Sequence, residues 1–147
     1  MESLKMKKYK LGYTQGVYDM FHIGHLNLLL NAKEQCEKLI VGINADDLVE
    51  EYMLKSPVIC EEDRRRIVEH IDCVDQAIIV HTLDKEVIWQ QIGFDAIFIG
   101  SDWKGNPRWE ATGKRMKELG AELIYLPHTD GISSTMLRND KDNSTQE

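Results

Sequence analysis

Short apolar runs alternate with longer amphipathic runs along this 147-residue chain. The short runs are rich in β-branched residues and almost continuously apolar, which is typical of strands that are covered on both faces. The sequence therefore predicts strands at residues 9–14, 38–43, 76–81, 95–100 and 121–126. Amphipathic runs at residues 26–37, 61–71, 84–91 and 108–119 predict the intervening helices.

Alternation of strands and helices at this rhythm predicts an α/β fold, namely a single doubly wound, Rossmann-like parallel sheet of five strands with helices on both faces. The length suits one domain. We place that domain at residues 1–138, followed by a polar, disordered tail at residues 139–147. Ligands of such sheets bind outside the carboxyl ends of the strands.

Composition removes several classes of function. The formal net charge is −7, which argues against a nucleic-acid partner. No apolar run approaches the ~18 residues that span a bilayer, so we expect no membrane insertion. The start of the chain, MESLKMKKYK, has no apolar segment behind its charges, so we expect a cytoplasmic protein. The three cysteines are odd in number and widely spaced, which makes a disulfide framework or a zinc site improbable.

Two histidines stand at the junction of the first strand and the first helix, in the segment GVYDMFHIGH at residues 16–25. A helix that begins near His25 presents unpaired N–H groups and a positive dipole end, which together form an anion site. Gly24 lets a phosphate approach the backbone, and His22 and His25 can donate hydrogen bonds to its oxygens. The ordinary alternative is a pair of structural histidines beside a turn.

Three segments carry a resemblance to a known family. GVYDMFHIGH resembles the HxGH signature of the nucleotidyltransferase superfamily. HTDGISSTMLR, at residues 128–138, resembles the RTEGISTT signature of cytidylyltransferases of the type that acts on glycerol 3-phosphate, and FIGSDWKG, at residues 98–105, resembles that family's strand and Asp-Trp loop. The resemblance implies transfer of CMP from CTP to a small phosphomonoester, first of all glycerol 3-phosphate, with release of pyrophosphate. It also implies a homodimer, and the chemistry of the reaction implies Mg²⁺ or another divalent cation.

The resemblance further implies a set of site residues. The catalytic residues are His22, His25, Lys55 and Arg64, with Lys55 on a mobile loop at residues 50–60. The acceptor contacts are Lys85 and His128. The nucleotide contacts are Gly16, Val17, Tyr18, Asp19, Gly24, Asp102, Trp103, Gly131, Ile132, Ser133, Ser134 and Thr135. For Ser133, Ser134 and Thr135 the residue types support this role independently, because serine and threonine hydroxyls at the start of a helix can form hydrogen bonds to phosphate.

Alternatives stay open at three kinds of position. Asp19 can orient a histidine, hold Mg²⁺ through water, or stabilise its own turn. Arg64 can contact phosphate, or it can join its arginine neighbours on a solvated helix face paired with acidic residues. Trp103 can lie near the nucleoside or in the core, whereas Trp89 and Trp109 are expected to pack on helices.

The chain departs from the family pattern where Met53, Asp72 and His128 stand in place of basic residues. Loss of an arginine is not conservative at a phosphate site. The nucleotide half of the site therefore matches the pattern, and the acceptor half is altered. Asp72 and His128 also permit a nucleotide-binding module that has lost turnover. An adenylyltransferase on the same frame is a further alternative, because only the resemblance favours cytosine over adenine.

Overall fold

The computed structural model describes residues 7–127 and contains one parallel sheet of five strands. The strands are β1 (Tyr9–Gly16), β2 (Cys36–Asn44), β3 (Gln76–Val80), β4 (Ala96–Gly100) and β5 (Glu122–Leu126). Their order across the sheet is β3-β2-β1-β4-β5, and every neighbouring pair is parallel. This architecture confirms the predicted fold. The strand order reverses between β1 and β4, which is where such sheets open a crevice for a ligand.

Helices cover both faces of the sheet. They are α1 (Ile23–Gln35), α2 (Asp46–Met53), α3 (Glu61–Glu69), α4 (Lys85–Ile92) and α5 (Pro107–Leu119), with a 3₁₀ turn at Ser101–Trp103. Leu29 of α1 and Val68 of α3 are buried in one core cluster, whereas Ile88 of α4 and Met116 of α5 are buried in the other. Helices α1 and α3 therefore lie on one face, and α4 and α5 lie on the opposite face.

The core between the sheet and α4–α5 is organised around a tyrosine. Tyr13 is fully buried, and its ring stacks on Phe94 at a centroid distance of 5.3 Å. Its hydroxyl donates to Gln15 Oε1 at 2.7 Å, which satisfies the polar tip inside an apolar layer. Gly42, on the adjacent strand β2, leaves the space that this hydroxyl occupies.

The structure differs from the predicted elements in two places. Helix α1 begins at Ile23 and ends at Gln35, because a side-chain cap starts it early and Cys36 already belongs to β2. Helix α2 was not predicted, and it takes Glu50 and Met53 out of the segment expected to be a loop. The predicted tail and the segment at residues 128–138 lie outside the described residues. Between residues 7 and 127, no helix has the length and apolar character needed to cross a bilayer.

We expect Gly42→Ala to destabilise the protein, because the new Cβ would lie 2.1 Å from the Tyr13 hydroxyl oxygen. Overpacking of this kind costs about 1–3 kcal/mol. The measurement is the free energy of unfolding from denaturant titration. The matched control is Gly113→Ala in α5, where the nearest atom is the movable Leu123 Cδ2 methyl at 3.0 Å and alanine favours the helix. Equal stability of the two variants would contradict the packing described here.

Candidate active site

The turn between β1 and α1 has a strained backbone. Tyr18 and Met20 adopt positive φ angles of 54° and 52°, in a region that residues other than glycine enter infrequently. Strain of this kind is retained where the surrounding structure determines the conformation, and it concentrates at functional sites. Tyr18 is buried, and its ring lies edge-on to the His25 ring at 5.3 Å. The turn delivers His22 to the position that caps α1.

The two histidines cap α1 reciprocally. The Gly24 N–H donates to His22 Nδ1 at 3.0 Å, and the His22 N–H donates to His25 Nδ1 at 3.2 Å. Each Nδ1 atom is therefore an acceptor and carries no proton. Neutral imidazole has one proton, so geometry assigns it to Nε2 in both rings. The sequence predicts that the Gly24 backbone faces a phosphate, but the Gly24 N–H is used by the cap.

Burial keeps both imidazoles neutral at physiological pH. Desolvation lowers the pKa of His22, and desolvation together with the neighbouring His22 lowers the pKa of His25 to about 4, with Asp19 acting in the opposite sense. The rings stack at a centroid distance of 3.9 Å. His22 Nε2 is buried and has no hydrogen-bond partner among the described residues. A buried N–H donor without a partner requires an explanation, and an oxygen of a bound ligand supplies one.

Asp19 holds the loop that follows α2. Its side chain is 3% exposed, and its two carboxylate oxygens accept the Val58 N–H at 2.7 Å and the Ile59 N–H at 2.9 Å. This loop, at residues 54–60, carries Lys55, whose side chain is exposed. These two bonds give Asp19 a role that was not among the predicted ones, since they hold a loop about 40 residues away in the sequence. The carboxylate ties the root of the lysine loop to the histidine turn.

Arg64 lies beneath the site rather than in it. The residue is 1% exposed, and its guanidinium donates to the carbonyls of Val17 at 2.7 Å, Asn44 at 2.9 Å and Ile59 at 2.7 Å, and to the Asp46 carboxylate. These bonds use most of the five N–H groups of the side chain. The prediction was a direct phosphate contact, and the structure instead shows a buried clamp. It joins the ends of β1 and β2 to the loop.

Asp46 is a functional neighbour that the sequence did not reveal. Its backbone N–H donates to Glu61 Oε1 at 2.7 Å, and its carboxylate accepts the Glu61 N–H at 3.3 Å. The first turns of α2 and α3 therefore cap each other, and the same carboxylate pairs with Arg64. No local pattern marks this arrangement, because Asp46 and Arg64 are brought together only by the packing of two helices against β2.

A second group of polar residues lies at the same edge of the sheet, after β3 and β4. Lys85 is 8% exposed, its Nζ donates to the Leu83 carbonyl at 2.7 Å, and it lies 5.1 Å from the centre of the Trp109 ring. Desolvation, followed by the charge of Arg108, lowers the pKa of Lys85 to about 8. Trp109 was predicted only to pack, and Arg108 was not singled out. The sequence did contain a signal that could have drawn attention to Arg108. It is a cation in the first turn of a helix, where acidic residues are favoured.

The remaining predicted residues divide into two groups. Trp103 is 49% exposed in the 3₁₀ turn after β4 and does not pack in the core, and Asp102 is exposed beside it. Both stand at the carboxyl edge, with Gly16 and Val17 at the end of β1. The following predicted residues lie outside the described part of the chain: His128, Gly131, Ile132, Ser133, Ser134 and Thr135.

The described residues do not form a cage for a divalent cation. Between residues 7 and 127, no three histidine, cysteine, aspartate or glutamate side chains come together as a ligand set. Both oxygens of Asp19 already accept backbone N–H groups. Mg²⁺ is commonly held by substrate phosphates and water with few protein ligands. We therefore assign no described residue to the ion.

Comparison with known proteins gives consistent matches. The family described as cytidylyltransferase-like matches residues 13–140. The chain is 38% identical over 128 residues to a glycerol-3-phosphate cytidylyltransferase of Bacillus spizizenii, covering 86% of this chain and 93% of the relative. The enzyme of the same description from Bacillus subtilis is 31% identical over 134 residues, covering 86% and 93%.

A solved structure shares the fold. The lipopolysaccharide core biosynthesis protein from Thermoplasma volcanium superposes with a TM-score of 0.72 at 23% identity, covering 83% of this chain and 99% of that chain. At this level of identity the likeness concerns the fold alone. The fold is therefore shared by a protein of quite different sequence.

The histidine cap predicts a dependence of stability on pH. The unfolded chain protonates His25 near its ordinary pKa of 6.5, whereas the folded protein resists protonation until about 4. The contribution of His25 to the free energy of unfolding is fully present above pH 6.5. It falls as the pH drops from 6.5 to about 4, and it does not change further below that pH. Chemical denaturation should show the wild type losing about 1–2 kcal/mol more than His25→Ala between neutral pH and about pH 5. Parallel pH profiles for the two proteins would contradict the cap.

The Arg64 clamp predicts a large structural effect. Arg64→Met retains most of the length but leaves three carbonyls and Asp46 without their partner, so we expect the free energy of unfolding to fall by about 3–5 kcal/mol. The control is Arg65→Met, which removes surface pairs with Glu62 and Glu69 and should cost less than about 1 kcal/mol. Denaturant titration measures both. A loss for Arg64→Met as small as that for Arg65→Met would show that the clamp is not structural.

Proposed function

The chain belongs to the cytidylyltransferase-like family, and we propose on that basis that it transfers CMP from CTP to glycerol 3-phosphate, releasing pyrophosphate and forming CDP-glycerol. Glycerol-3-phosphate cytidylyltransferases match almost the whole chain, and the chain covers nearly their full length. The observation that carries the proposal within the molecule is the reciprocal histidine cap. It leaves Nε2 of each ring to carry the proton, and the buried His22 Nε2 has no partner in the described region.

The proposed chemistry is a single in-line displacement. A phosphate oxygen of the acceptor attacks the α-phosphorus of CTP, a new P–O bond forms, and the bond to the bridging oxygen breaks so that pyrophosphate leaves. A phosphomonoester dianion is a competent nucleophile and requires no strong base. Catalysis then consists of holding two polyanions together and stabilising the charge that develops on the transferred group.

The histidines suit this task because they are neutral donors. A neutral Nε2–H group can donate to an α-phosphate oxygen whose negative charge grows during the reaction, with no change in the proton held by the ring. The capping bonds fix the direction of both rings before the substrate arrives. Lys55, on the exposed loop, supplies a positive charge for the triphosphate in this proposal. Asp19 and Arg64 fix the root of that loop.

Magnesium, a homodimer and a cytoplasmic location stay predictions. We propose that Mg²⁺ enters with CTP and is held by triphosphate oxygens, where it offsets negative charge. None of the steps assigned to this chain's own residues runs through the ion.

The test of the proposed function combines purified protein, CTP, Mg²⁺ and a panel of small phosphomonoesters, with products identified by mass. We expect CDP-glycerol and pyrophosphate from CTP with glycerol 3-phosphate. Substituting ATP for CTP tests the adenylyltransferase alternative. Binding of CTP without product from any acceptor would favour the nucleotide-binding module and overturn the enzymatic proposal.

Loss of either capping histidine should impair turnover. Removing one donor that stabilises transition-state charge typically lowers kcat by about 10²–10³. We expect this loss for His22→Ala and His25→Ala, measured by steady-state release of pyrophosphate with both substrates saturating. The control is His70→Ala, because His70 is exposed, lies just after the last residue of α3 and takes no part in the cap of α1. Turnover of His22→Ala within a few-fold of wild type would remove this histidine from the mechanism.

A further inference from the structure

The Lys85 ammonium is buried beside an aromatic ring. Its side chain contacts the Leu83 carbonyl and the face of Trp109, and no carboxylate among residues 7–127 forms an ion pair with it. The charge of Asp84, whose Oδ1 accepts the Glu86 and Val87 N–H groups at the start of α4, offsets part of the Lys85 charge without a direct bond to it. A buried charge is costly unless a counter-charge accompanies it. The pocket around Lys85 is therefore suited to an anion that arrives from outside.

A second cation stands beside this ammonium. Arg108 lies in the first turn of α5 next to Trp109, and its positive charge acts on both Lys85 and Tyr52. Its side chain is exposed and makes no ion pair or hydrogen bond within the described residues. A cation in the first turn also opposes the helix dipole. An anion bound between Arg108 and Lys85 would offset their unpaired positive charges. It would also offset the unfavourable interaction of Arg108 with the dipole of α5.

The pair stands on the edge of the sheet that carries the histidine turn. Lys85 follows β3, and Arg108 follows β4 after the 3₁₀ turn. Gln15, at the end of β1, donates to Asn44 Oδ1 at 2.8 Å and to the Thr82 carbonyl at 3.1 Å. This network fixes the segment before Lys85 against β1 and β2. The two cations are therefore placed by rigid elements on the α4–α5 side of the crevice, opposite α1.

We propose that Arg108 joins Lys85, the acceptor contact that the resemblance implies, in binding the phosphate dianion of the acceptor, and that Arg108 is a specificity-determining residue of this chain. The inference rests on the proposed function. The guanidinium offers two parallel N–H groups to phosphate oxygens, and the ammonium retains two N–H groups after its bond to Leu83. Arg108 would then supply a positive charge in the half of the site where Met53, Asp72 and His128 replace basic residues of the resembled pattern.

The kinetic test uses Arg108→Ala, with saturating CTP and glycerol 3-phosphate varied, and then the reverse. We expect KM for glycerol 3-phosphate to rise by about 10-fold or more, with kcat and KM for CTP changed by less than about 2-fold. Arg108→Lys should restore part of the affinity. The matched control is Arg115→Ala on the same helix, whose guanidinium pairs with Glu86 and Glu118 and lies outside the site.

A second readout follows the Lys85 side chain by NMR in the resting enzyme. The charged groups that act on Lys85 are Arg108 from α5 and Asp84 from the N-cap of α4. Removing Arg108 takes away a like charge, so the pKa of Lys85 should rise above about 8 in Arg108→Ala. Glycerol 3-phosphate should raise the pKa of Lys85 in the wild type, because a bound dianion stabilises the ammonium, and glycerol should not.

The outcomes separate the two proposals. If the wild type makes no CMP-containing product from any acceptor, the proposed function fails, whatever Arg108 does. If the wild type is active but Arg108→Ala keeps its KM for glycerol 3-phosphate, Arg108 does not bind the acceptor. A rise in KM for CTP alone would assign Arg108 to the nucleotide and would overturn the inference. An unchanged pKa of Lys85 on addition of glycerol 3-phosphate would also contradict it.

Discussion

A buried guanidinium holds together the parts of this molecule that must meet at the site. Arg64 bonds to the chain after β1, to the end of β2 and to the loop after α2, and it pairs with the first turn of α2. Parallel strands bring their carboxyl ends to one edge, but they do not fix the loops that leave that edge. Arg64 and Asp19 do so from opposite sides, because one binds the Ile59 carbonyl and the other binds the Ile59 N–H. The root of the lysine loop is consequently tied to the histidine turn.

The histidine pair shows how a helix-capping hydrogen bond can determine the tautomer of an imidazole. A helix start needs acceptors for its first N–H groups, and here imidazole Nδ1 atoms supply them. The bonds that start the helix therefore also determine which ring nitrogen carries the proton. Burial keeps that form neutral. Helix capping, tautomer and ring direction are a single arrangement, so the donors are organised before any ligand binds.

An acidic protein can bind polyanions when a few cations are well placed. The net charge of −7 opposes any general attraction for phosphate. The positive groups at the carboxyl edge act instead through position. Lys85 is shielded from water and Arg108 is next to it, so their field is concentrated on a small volume.

Local sequence determined the alternation of strands and helices, the parallel sheet, and the position of the histidine turn, because each depends on residues close together in the chain. Helix α2 escaped prediction because neither end carries a sequence signal: Ala45 offers no capping side chain, and Leu54 rather than glycine takes the left-handed conformation after the last turn. Tertiary structure alone decided that Arg64 is a clamp, that Asp46 is its partner, and that Arg108 lies beside Lys85. These roles depend on the crossing of helices and strands that are distant in sequence, and no periodicity records which side chains such a crossing brings together.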